Sequence, residues 1–111
     1  MPADTSPLFG VRVFRHGSHT VVQVVGEIDL ATAPRLRSYL DDLIADADGA
    51  ILLDLADVTY IDSTGVSAVL TADAELNHYG RDLRVVKASV QVRRLFELCG
   101  ITDLVVDAPQ G

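Results

Sequence analysis

The feature that most constrains this 111-residue chain is a regular switching between two hydrophobic periods. "VRVFRHGSHTVVQVVGEIDL" holds two runs rich in β-branched residues that turn near His16, Gly17 and Ser18, the pattern of a β-hairpin. "ATAPRLRSYLDDLIADADG" then changes to helical spacing, with Leu36, Leu40, Leu43 and Ile44 in one stripe, Pro34 in the first turn and Thr32 as the expected cap. "AILLDLADV" is short, continuous and apolar, which predicts a strand covered on both faces. A second helix is expected from Ser63 to about Tyr79, ended by Gly80, and "DLRVVKA" is a further strand. Ser89 should cap a third helix with Val92, Leu95, Phe96 and Cys99 inward and Gly100 at its end, before a last strand at "DLVVD". The order β-β-α-β-α-β-α-β implies crossover connections. They predict a single α/β domain: a mixed sheet of four to five strands, with helices packed mainly on one face. Only residues 1–6 and 108–111 read as loose ends.

Composition narrows the function. Nine basic against sixteen acidic residues give a net charge of −7, which argues against direct nucleic-acid binding. No Lys or Arg occurs between residues 38 and 80, a stretch rich in Asp that is either a solvated surface or a face for a basic partner. No apolar run is long enough to span a membrane, and the N-terminus lacks the basic and apolar regions of a signal peptide. The single Cys99 cannot form an intramolecular disulfide, fits a reducing cytoplasm, and is expected to be buried and inert.

The chemistry concentrates at one joint. In "VTYIDSTGVSAVL", residues 58–70, an apolar strand runs into an apolar helix through Asp62, Ser63, Thr64 and Gly65. The end of a strand in an α/β sheet is where such folds place their sites. Ser63 has the chemistry of an N-cap, so the quartet can be read as nothing more than a helix start. A nucleophile elbow is absent, since Gly65-Val66-Ser67-Ala68-Val69 lacks the final glycine. His16, His19 and His78 come with no recognisable orienting partner, and neither a phosphate-binding loop nor metal-ligand spacing is present. Neither catalysis nor a cofactor is therefore expected. On a helical projection, Ala68, Ala72, Leu76 and Tyr79 share one side and Val66 and Leu70 fall nearly opposite; these two either pack under a loop or, the reading favoured by Asp73 and Asn77 on the same side, form a small exposed apolar patch beside Ser63.

Three segments, "GEIDLATAPRL", "YIDSTGVSAVL" and "VRRLFELCGITDLV", resemble in order and spacing the STAS domain of bacterial anti-sigma factor antagonists. The resemblance implies a cytoplasmic partner-switching protein, a substrate rather than an enzyme. In that family the unmodified antagonist binds an anti-sigma factor that is also an ATP-dependent serine kinase, and so frees the sigma factor. The kinase phosphorylates the residue after the motif's Asp, here Ser63, and a PPM-type phosphatase reverses it; Thr64 is a minor candidate. Asp62 carries over as part of the recognition site, and Asp29 should lie at a neighbouring strand end. The expected docking surface is Asp29, Asp62, Ser63, Thr64, Gly65, Val66 and Leu70, on a chain that is monomeric when free. Two departures stand out: Ser67 replaces a frequent second glycine, and the chain ends soon after "DLVVD", where many relatives add a helix. The runner-up is a constitutive STAS accessory subunit of a transport or signalling complex, in which Ser63 only caps a helix.

Physics adds a reason for a switch there. A phosphoserine carries about −1.5 to −2 charges at neutral pH. It is expected to rest on the free N–H groups of the helix start, to deepen an acidic surface, and to have at most Arg35 or Arg81 brought near by the fold.

Overall fold

The structure, a computed structural model, describes residues 9–101, 104 and 105. The hairpin expected from the alternating runs forms as β1 (Phe9–His16) and β2 (His19–Ile28), joined at Gly17, whose φ of 63° suits a tight turn. After them come α1 (Ala33–Asp46), β3 (Ile51–Ile61), α2 (Ser63–His78), β4 (Leu83–Ala88) and α3 (Val90–Leu98). The four strands make one mixed sheet in the order β1-β2-β3-β4, antiparallel in the hairpin and parallel thereafter. Of the expected last strand, Leu104 is buried and accepts from Val85 N at 2.8 Å, and Val105 makes an isolated parallel bridge to Val85; residues 103, 106 and 107, and the loose ends, lie outside the described residues.

Strand register explains which face is buried. Val22, Leu53 and Val85 stand side by side across β2, β3 and β4, as do Thr20, Ile51 and Leu83, and all six are buried. Leu36 and Leu40 of α1, Val69, Ala72 and Leu76 of α2, and Val92 and Phe96 of α3 complete the same core cluster. The opposite face is only partly covered. Val21, Gln23 and Leu52 there are half-buried, and Asp54 is held by Gln23 Nε2 at 3.3 Å, Ala56 N at 3.1 Å and Lys87 Nζ at 3.8 Å. β3 is thus buried on one face rather than on both. Its apolar run is continuous in sequence because Leu52 packs on a half-open sheet surface.

Helix ends follow local chemistry. Gly80, at φ 70°, stops α2 as its N–H bonds Asn77 O. Ser89 caps α3, accepting from Val92 N, and its hydroxyl donates to Val58 O at 2.7 Å. At the C-terminal end of α1, Arg81 donates to the carbonyls of Leu43 and Ile44 in the last turn and of Gly49 in the loop that follows, where the helix itself leaves acceptors open. Cys99 departs from expectation. It is exposed, because α3 ends at Leu98 and Gly100 turns the chain at φ 74° before the seven-residue spacing from Val92 can bring the thiol inward.

Candidate functional site

β2 and β3 are parallel neighbours, so both deliver their ends to the same edge of the sheet. Ile28 pairs with Ile61, and Asp62 N donates to Ile28 O at 3.2 Å, which sets Asp29 and Asp62 beside each other at the two exits. Each of these aspartates organises the turn that follows it. Asp29 Oδ1 accepts from Ala31 N and Thr32 N, both at 3.0 Å, and from the Thr32 hydroxyl at 3.2 Å. The expected cap, Thr32, makes no side-chain cap bond. Its hydroxyl instead donates to Glu27 O and accepts from Asp29 N, locking the loop between β2 and α1.

The same device recurs at α2. Asp62 is extended, and its Oδ1 accepts from Thr64 N at 3.0 Å, from Gly65 N at 3.2 Å and from the Thr64 hydroxyl. Asp62, not Ser63, is therefore the N-cap. Asp and Ser are both good caps, and only the backbone conformation decides which of two adjacent residues takes the role. The Thr64 hydroxyl, then the backbone N–H groups of Gly65 and Thr64, hold the Asp62 carboxyl below its ordinary range, against the upward push of partial burial. It is an anion at neutral pH.

Ser63 is left as the first helical residue, exposed, with its hydroxyl bonded to none of the described residues. Thr64 is half-buried and its hydroxyl is taken by Asp62. Three of the N–H groups expected to cradle a phosphate are occupied: Thr64 and Gly65 donate to the Asp62 side chain and Val66 to its carbonyl. Of the two arginines named as possible neighbours, Arg81 is bound at the far end of α1, and Arg35 lies over the Phe9 ring, 4.9 Å from its centroid.

Gly65 is required by packing. A Cβ there would meet Ile28 Cγ2 at 2.7 Å and Ile61 Cγ1 at 2.8 Å, so the first turn of α2 rests directly on the two strand ends. Val66 corrects the helical projection. It is 4% exposed and belongs to the core, because the buried arc of α2 runs through Gly65, Val66, Val69, Ala72 and Leu76. That arc is centred nearer Val69 than Ala72, and Tyr79, at the C-cap, is 66% exposed. Of the expected apolar patch only Leu70 reaches solvent, on the same outer side as Ser63 and Ser67.

The histidines lie far from Ser63. His78 is fifteen residues along α2, about 22 Å away by helical rise. His16 and His19 lie at the hairpin turn, about 30 Å from the end of β2. No general base of that kind faces the hydroxyl, and no metal-holding group of His, Cys, Asp and Glu occurs among the described residues.

Residues 11–109 match the STAS domain. The chain belongs to the STAS-domain family. It is 35% identical over 83 residues to the anti-sigma-B factor antagonist of Staphylococcus aureus, an alignment covering 75% of this chain and 77% of that one. The solved structure of the anti-sigma factor antagonist SpoIIAA in its unphosphorylated form superposes with a TM-score of 0.78 at 23% identity, covering 92% of this chain and 89% of that one. The Bacillus cell fate determinant SpoIIAA in its phosphorylated form superposes with a TM-score of 0.72 at 22% identity, covering 92% of each chain. These structures share the fold of this STAS domain, a four-stranded mixed sheet with three helices. No helix among the described residues is long and apolar enough to cross a membrane.

Proposed function

We propose that this STAS domain is a cytoplasmic anti-sigma factor antagonist controlled by phosphorylation of Ser63. Unphosphorylated, it binds an anti-sigma factor that is also a serine kinase and so releases a sigma factor. Phosphate on Ser63 ends that binding, and a PPM-type phosphatase restores it. The domain is the substrate of both enzymes and catalyses neither step. The observation that carries this reading is the division of labour at the joint: Asp62 caps α2, so the exposed Ser63 hydroxyl has no structural duty and is open to a kinase. A constitutive accessory subunit would have no use for that freedom. Thr64 is the weaker acceptor, since its hydroxyl is already donated to Asp62.

The electrostatics favour an off-switch. The phosphate joins a surface that already holds Asp29 and the Asp62 anion. Two unit charges 4 Å apart repel by about 1 kcal/mol in water and about 4 kcal/mol at an effective dielectric of 20. Docking a partner moves the site from the first regime towards the second, and each 1.4 kcal/mol is tenfold in affinity. Asp29 and Leu70 lie around Ser63 and complete the proposed docking surface; Val66 supports it from below.

The test is intact mass before and after incubation with Mg-ATP and a candidate anti-sigma kinase, beside Ser63→Ala. One phosphoryl group on the wild type and none on the variant is the expected result. In binding assays Ser63→Ala should hold the kinase, and Ser63→Glu should bind it at least tenfold more weakly. Phosphorylation that persists in Ser63→Ala, or a Ser63→Glu variant that binds as the wild type does, refutes the assignment.

A further inference from the structure

The edge of the sheet that carries Ser63 also presents apolar side chains that the core does not use. Leu30, in the loop after β2, is 75% exposed, and Val90, the first residue of α3 after β4, is 66% exposed. Tyr60 is 49% exposed on the part of β3 that runs past the end of β4, whose last pairing is Leu55 with Ala88. Single exposed apolar residues are ordinary. These three follow one another along β2, β3 and β4, towards the end of the sheet at which α2 begins.

Hydrogen bonds fix their places. Asp62 N on Ile28 O holds the exit of β2, and hence Leu30, next to the start of α2. The Ser89 hydroxyl on Val58 O holds the start of α3 alongside β3, four residues before Asp62. At about 3.3 Å per strand residue, Tyr60 lies about 10 Å, and the Val58 level to which α3 is tied about 17 Å, along the chain from Ser63, separations that a standard-sized interface spans. Asp29 and Asp62 stand at these same exits, and Glu27 and Asp57 in the last pairs of β2 with β3.

We propose that Leu30, Tyr60 and Val90 are apolar anchors through which the kinase grips this domain, with Glu27, Asp29, Asp57 and Asp62 selecting a basic surface around its apolar hollows. The inference rests on the reading of Ser63 as the phosphoacceptor. A second copy of the chain does not fit this edge well, because a symmetric pairing would bring two such sets of four carboxylates into one interface. The anchors stand away from the reacting hydroxyl, so they are specificity residues that act on docking and not on phosphoryl transfer.

The test measures phosphorylation of the full chain by the anti-sigma kinase of the source genome, at saturating Mg-ATP, for wild type, Leu30→Ser, Val90→Ser and a control, Leu98→Ser. Leu98 is 84% exposed at the other end of α3. The expected result is a KM at least tenfold higher for Leu30→Ser and Val90→Ser, with kcat within twofold of wild type and an unchanged Tm. Leu98→Ser should match wild type in all three. A KM within twofold of wild type for both anchor variants, or a loss confined to kcat, overturns the inference and leaves the reading of Ser63 intact. Failure of the wild type to be phosphorylated by any such kinase overturns that reading and the inference with it. An unchanged KM with altered self-association in sedimentation assigns the edge to a second copy instead, and also overturns the proposal.

Discussion

Gly65→Ala separates a reading of the helix from a reading of the packing. Helix propensity alone says the change is favourable, since Ala is better than Gly in a helix interior by about 1 kcal/mol, less in a first turn. The packing says the opposite. The new Cβ would stand 2.7 Å from Ile28 Cγ2 and 2.8 Å from Ile61 Cγ1, about 1 Å inside the usual carbon–carbon separation. Neither side chain has room to yield: Ile28 is fully buried and Ile61 is 6% exposed. Overpacking of this kind costs about 1–3 kcal/mol, which exceeds the propensity gain. We expect a net loss of about 1 kcal/mol, hence a Tm lower by roughly 4–8 °C in thermal unfolding followed by circular dichroism. A surface change one turn on, Ser67→Ala, should leave Tm within about 2 °C. Where the variant is still folded, a raised first turn should also slow phosphorylation of Ser63. A Gly65→Ala protein as stable as wild type, or more so, would refute the claim that α2 rests on the strand ends.

Two further perturbations probe the same framework. Asp62→Ala removes the cap of α2 and should cost about 0.5–2 kcal/mol, whereas Asp62→Asn keeps an acceptor and should cost less. Because the folded carboxyl titrates below its unfolded value, the advantage of wild type over Asp62→Asn should be complete above about pH 4 and vanish as pH falls through the folded pKa; an advantage that grows on acidification would contradict the hydrogen-bonding scheme. Arg81→Met withdraws the donors to Leu43, Ile44 and Gly49 and should destabilise by about 1–3 kcal/mol in urea titration, with an unchanged m-value.

Much of this architecture was legible because it rests on periodicity and punctuation. The hairpin turn at Gly17, the stops at Gly80 and Gly100 and the cap at Ser89 are local signals, and the structure uses each of them. The errors share a cause: each needed a third dimension. The sequence pattern points Val66 outward because a helical projection gives relative angles and not the direction of the core. It points Cys99 inward because spacing from Val92 assumes a helix that lasts, and α3 ends one residue too soon. The α2 cap falls on Asp62 and not on Ser63 because neighbouring residues with equal capping chemistry differ only in backbone geometry, whereas Thr32 holds the expected N-cap position of α1 but turns its hydroxyl to the preceding loop. The close approach at Gly65 has no sequence signal beyond the glycine itself.

The shift of the cap by one residue changes how a switch at Ser63 would work. Had Ser63 been the cap, phosphorylation would have modified the oxygen that holds the first turn, and regulation would have been coupled to the stability of α2. With Asp62 as the cap, the turn is held by a carboxylate that takes no part in the modification. That carboxylate also occupies the N–H groups a phosphate would otherwise seek, and its own charge repels the newcomer. A phosphate on the exposed Ser63 is thereby left on the outer side of α2, which Leu70 shares, on the surface proposed to meet the kinase. The switch then acts on binding with little effect on folding. A phosphorylated domain should keep the Tm of the unmodified one to within a few degrees while losing its partner, and a large fall in Tm on phosphorylation would mean that the cap, not the interface, is the element being switched.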